Sequence, residues 1–107
     1  MKTGQQLAEI GAQVAANHAE SISPDWNEAA LNALRFYLAF NGSREFMTED
    51  FRQWARVMKM VSDPPDDRAF GNTILKAQKL GMIVHVGYAK VKKPGSHAGP
   101  KSVWVRI

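Results

Sequence analysis

Arg68, Asn72, Leu75, Lys76 and Lys79 stand at offsets of zero, four, seven, eight and eleven. On an α-helix that spacing sets them along one ridge. Arginine forks onto guanine O6 and N7, and asparagine onto adenine N6 and N7, so Arg68 and Asn72 are candidate readers of base edges. Lys76 and Lys79, followed by Lys90, Lys92, Lys93 and Lys101, are candidate contacts to phosphate. A run of lysines is usually no more than a solvated face. Here the lysines occupy consecutive elements with no carboxylate between them. The plainer reading of Arg68 is an ion pair with Asp66 or Asp67, with Asn72 simply solvated.

The charge is lopsided along the chain. Residues 1–67 carry six basic and ten acidic side chains, whereas residues 68–107 carry eight basic and none acidic. The net charge of +4 says little by itself; a basic half set against an acidic half is the footprint of a polyanion-binding surface. The expected partner is double-stranded DNA.

Other chemistries find less support. The chain has no cysteine, which removes disulfides, thiolate zinc sites and a thiol nucleophile. His18, His85 and His97 are scattered without ligand spacing, so no metal is expected. Asp63, Asp66 and Asp67 form the one carboxylate cluster; a nuclease could hold Mg²⁺ with such a group, but capping of a proline-broken helix start is the simpler account. There is no phosphate-loop glycine pattern and no nucleophile elbow, so neither an enzyme nor a cofactor is expected. No apolar run is long enough to span a bilayer, and residues 1–6 lack the order of a secretory signal. A soluble, cytoplasmic protein without a membrane partner is the expectation.

The elements that would position the ridge follow from periodicity. Thr3 and Gln6 have capping-box spacing and open a helix to about His18, with Leu7, Ile10, Gly11 and Val14 as a thin apolar stripe. That stripe suggests a peripheral arm, or a homodimer contact with a second copy. Ser23-Pro24-Asp25 opens a second helix, and Trp26, Ala30, Leu34, Tyr37 and Leu38 give it a core face that Phe36 and Phe40 widen. Asn41-Gly42 closes it. After a short extended piece at Arg44–Met47, Thr48 caps a third helix. Phe51, Trp54, Ala55, Met58 and Val61 line one side of it, and Arg52, Arg56 and Lys59 another. Pro64-Pro65 break the chain. A fourth helix runs from Asp66 or Asp67 to Gly81 with Phe70, Ile74 (or Thr73), Ala77 and Leu80 inward. A β-ribbon follows, with arms Met82–Val91 and Ser102–Ile107 and a turn-rich tip between them. Trp26, Trp54, Trp104 and the five phenylalanines all lie in apolar patterns and are expected in the core rather than stacked on bases.

The fold class is therefore mainly α with a C-terminal β-hairpin, residues 1–22 forming an N-terminal arm and 23–107 the domain proper. Helix, helix, short strand, helix, turn, helix, hairpin is the element order of winged helix-turn-helix domains. The residues Arg68-Ala69-Phe70-Gly71, Leu80-Gly81-Met82-Ile83, Gly87-Tyr88, His97-Ala98-Gly99-Pro100 and Val103-Trp104 resemble small DNA-binding proteins of phages and prophages. The winged-helix resemblance implies a recognition helix in the major groove and a wing along the backbone or minor groove. The phage resemblance implies a role in phage DNA replication, recombination or transcriptional control within a host cell. A winged helix that binds a phage or host protein instead is the alternative, since fold does not fix function. One feature departs from the pattern: the turn Asp63-Pro64-Pro65-Asp66-Asp67 is acidic where phosphates would approach.

Overall fold

The computed structural model describes residues 3–89 and 101–107. Four helices, α1 (Gly4–Ile22), α2 (Trp26–Asn41), α3 (Thr48–Val57) and α4 (Arg68–Lys79), precede an antiparallel hairpin of β1 (Ile83–Ala89) and β2 (Lys101–Arg106). The α+β class and the element order read from the sequence are those observed.

Thr3 closes the start of α1 as its spacing predicts: its side chain accepts from Gln6 N at 3.1 Å, and Gln6 Oε1 accepts from Thr3 N at 2.8 Å. The buried face of α1 is not the expected one. Ala12, Ala15, Ala16 and Ala19 face inward, while Leu7, Ile10 and Val14 stay exposed. The cause is close approach: α1 packs chiefly on α4, where a Cβ placed on Gly71 would lie 3.6 Å from Ala12 Cβ. Only methyl-sized side chains fit between backbones that near. Ala15, Ala16 and Ala19 belong to the same core as Trp26 and Phe70, so the helix read as an arm is packed into the body of the molecule.

The entry to α2 also differs from the expectation. Ser23 and Pro24, expected as cap and first turn, precede the helix: α2 starts at Trp26, and the cap position falls on Asp25, at φ 68° and without a side-chain cap. Glu20, near the end of α1, does the capping: its carboxylate accepts from the backbone N–H groups of Asp25 and Asn27 and from Asn27 Nδ2. Those hydrogen bonds, the Asn27 backbone foremost, hold the Glu20 carboxyl below its ordinary range. Gly42 ends α2 at φ 66°, donating to Leu38 O at 2.9 Å.

The core is aromatic. Trp26 and Phe51 both meet Phe70 edge to face, and Tyr37 packs on Phe46, Phe51 and Trp54. Buried Trp26 donates Nε1–H to Ser62 O at 2.8 Å, which ties α2 to the segment after α3. Phe36 and Phe40, expected to widen the core face, lie on the solvent side at 61% and 64% exposure, Phe40 stacking on half-buried Trp54. Met58 and Leu80 are likewise exposed rather than inward, each standing at the cap of its helix where the core has ended. Phe46 pairs with Trp104 through two backbone hydrogen bonds, 2.9 and 2.8 Å, so the extended piece before α3 adds a bridge to the outer edge of β2.

Candidate nucleic-acid interface

The acidic turn before α4 is internally neutralised. Arg68 lays its guanidinium across Asp66, with Nε at 3.0 Å and Nη2 at 2.7 Å from Oδ2, and its backbone N–H reaches Asp66 Oδ1 at 2.9 Å. Those bonds push the Asp66 carboxyl below its usual value and raise Arg68. Arg56 bonds Asp63 at 3.0 Å and also Asp67, while Arg52 stands 4.0 Å from Asp67. Three arginines meet three aspartates, and the loop presents no uncompensated anionic wall. The aspartates serve mainly as ion-pair partners; of the capping expected of them, Asp67 at the cap position makes no side-chain cap bond, and only Asp66 accepts from a backbone N–H, that of Arg68. Among the described residues no group of three or more histidine, cysteine, aspartate or glutamate side chains is arranged to hold a metal ion.

The predicted ridge is on α4, but it does not stand free. Arg68 is exposed yet engaged by Asp66. Asn72 and Leu75 are half-buried. Both line a groove of about 440 Å³ whose other wall is α1, through Gln6, Glu9, Ile10 and Gln13. Lys76 and Lys79, on the same groove, are exposed, as is Lys101 at the start of β2. None of these three lysines has a carboxylate within ion-pair distance among the described residues. Lys90, Lys92 and Lys93 lie outside the described residues. The structure thus brings Arg68, Asn72, Lys76 and Lys79 onto one helix and places Lys101 on the adjoining hairpin. It also sets α1 beside the two proposed base readers, which the sequence did not foretell.

A second groove, about 690 Å³, lies between α4, the start of α3, α1 and one face of the hairpin. Arg52, Arg68 and Lys101 line it, with His85, Tyr88 and Trp104 forming its hairpin wall. Tyr88 is 68% exposed. Unlike the tryptophans and phenylalanines, this tyrosine is not singled out by sequence pattern; the available signal is an aromatic residue two positions before Lys90. No helix among the described residues is long and apolar enough to cross a membrane.

Comparison with protein-family models, curated proteins and solved structures returns no match for this chain.

Proposed function

We propose that this protein is a non-enzymatic, double-stranded DNA-binding module of winged-helix type, serving phage DNA replication, recombination or transcriptional control. The observation that carries the reading is the division of labour among its charges. The arginines near the acidic turn are spent on aspartates, whereas Lys76, Lys79 and Lys101 project from α4 and the hairpin with no carboxylate partner among the described residues. The bridge between Phe46 and Trp104, with α2, α3 and α4 between helix start and hairpin, supports the winged-helix topology. Lysine contacts to phosphate release counterions and supply affinity for any duplex. Arg68 and Asn72 remain the base readers of choice by chemistry, though in this arrangement one is held by Asp66 and the other stands behind α1.

Fluorescence anisotropy with a short random duplex over a salt series tests the reading. Replacing Lys76 and Lys79 with alanine should weaken binding to every duplex alike and lower the slope of log K against log salt by roughly 1.8, about 0.9 for each lost phosphate contact. An unchanged slope would exclude α4 from the contact.

A protein-binding adaptor is the second reading. The exposed stripe Leu7, Ile10 and Val14 on α1 favours it, since three large apolar side chains stand exposed on one face of the helix. Failure to bind any duplex at low salt would shift the reading to this one.

A further inference from the structure

The hairpin has a β-bulge, and it decides what the 690 Å³ groove contains. His85 pairs with Trp104, but the next pair is Gly87 with Val103, leaving Val86 without a partner. One inserted residue reverses which face later side chains take. In a regular strand His85 and Tyr88 would point to opposite faces. Past the bulge they share one, with ring centroids 4.8 Å apart and edge to face. His85 meets Trp104 in the same manner at 5.1 Å. Gly87, at φ 156°, supplies a backbone conformation that other residues rarely adopt. The result is a row of three aromatic rings leading from buried Trp104 out to exposed Tyr88. At its inner end, Trp104 Nε1 and His85 Nε2 are buried without hydrogen-bond partners among the described residues.

Exposed aromatic faces flanked by cations recognise unpaired nucleotides, because the ring stacks on the base while the cations take the phosphates. Arg68 and Lys101 line the same groove as Tyr88. A base stacked inside a duplex has no free face to offer, so duplex contact alone makes no use of this ring. The carboxylates of the groove sharpen the assignment. Asp66 and Asp67 are taken up by Arg68 and Arg56, but Glu9 and Glu49 have no ion-pair partner among the described residues. They disfavour a phosphate on the α1 and α3 side of the groove and leave an uncharged base as the part that enters there, with phosphate kept to the hairpin side where Lys101 stands.

We infer that this groove receives an unpaired base at the end of a bound duplex, stacked on Tyr88, with the neighbouring phosphate on Lys101, the groove's cation without an ion-pair partner among the described residues. The inference rests on the duplex-binding reading and narrows its substrate to DNA with a single-stranded extension. Anisotropy titrations at fixed low salt would compare a blunt duplex with the same duplex carrying an overhang, using the full chain. The overhang should tighten binding roughly tenfold, the lower part of the range for one stacked base. Tyr88→Ala should bring that ratio to about one, and Tyr88→Phe should keep it. Equal affinities for the two DNAs in the unaltered protein, or a ratio that Tyr88→Ala leaves in place, overturns the inference while the duplex reading stands. No binding to either DNA overturns both.

Discussion

The packing of α1 on α4 is open to a direct test with an engineered disulfide. A Cβ on Gly71 would sit 3.6 Å from Ala12 Cβ, and disulfides join Cβ atoms about 3.8 Å apart, within a range of about 3.5–4.5 Å. The chain has no cysteine, so Ala12→Cys with Gly71→Cys introduces a single possible bridge. The bridge would close a loop of about 60 residues, removing on the order of 14 cal/mol/K of chain entropy from the unfolded state, or about 4 kcal/mol at 25 °C. With an unfolding entropy of about 2.1 cal/mol/K per residue, that is an upward shift in Tm of roughly 15–20 °C, an upper figure because native strain subtracts from it. Thermal unfolding of the oxidised and reduced double variant, beside each single variant, gives the difference within one protein. If mild oxidant fails to form the bridge, or forms it without raising Tm, α1 does not lie on α4 as described. Close approach to α4 would then not be what turns the alanines of α1 inward.

Further outcomes follow from the same geometry. Gly71→Ala should stabilise the protein by up to about 1 kcal/mol, since the helix gains propensity and the new methyl meets Ala12 at ordinary contact distance; chemical denaturation measures it. Phe70→Ala, which empties a fully buried site touched by Trp26 and Phe51, should cost about 3–5 kcal/mol by the same measurement. Glu20→Gln should lower stability at neutral pH, because the folded carboxyl is held below its ordinary value by the bonds it accepts at the start of α2. A depressed folded pKa contributes stability that is full above the unfolded value and is lost as pH falls through the folded one. The gap between Glu20→Gln and the unaltered protein should therefore close on acidification, and a gap constant from neutral to acid pH would remove the capping role.

Much of this fold was legible because strong local signals and tertiary packing agree. Phe51 and Ala55 on α3, Phe70, Ile74 and Ala77 on α4, and the capping box at Thr3 stand where periodicity and spacing put them. The face of α1 was misread because leucine, isoleucine and valine outweigh alanine in any apolar pattern. What decides that face is how near α4 comes, and Gly71 lies sixty residues away in sequence. The cap of α2 was missed for a similar reason: Ser23-Pro24-Asp25 is a good local signal, but Glu20 supplies the acceptor from the preceding helix. Phe36 and Phe40 are as apolar as Tyr37 and Leu38, and nothing local says which flank of a wide face meets solvent. At the site, the exposure of Lys76, Lys79 and Lys101 was readable, and the pairing of Arg68 with Asp66 was the plainer of two readings. The half-burial of Asn72 was hidden because it depends on α1. The bulge at Val86 was hidden too, since Val-His-Val-Gly reads as plain alternation.

The position of α1 separates two layers of the proposed DNA contact. Lys76, Lys79 and Lys101 are exposed with α1 in place, so the proposed salt-dependent binding would need no rearrangement. Base reading by Asn72 does need one, because α1 forms the other wall of its groove. On the α1 side Ala12, Ala15, Ala16 and Ala19 bring one methyl each, worth about 0.8 kcal/mol apiece or roughly 3 kcal/mol together, a lower bound because the core they cover and the Glu20 bonds to α2 would be given up as well. A cost of at least that size lowers apparent affinity for a preferred site about a hundredfold or more. The oxidised Ala12→Cys/Gly71→Cys protein should thus bind random duplex as the reduced form does, while the part of any sequence preference that depends on Asn72 disappears. If preference survives the bridge undiminished, Asn72 is not its source, and specificity belongs to Arg68 or the hairpin.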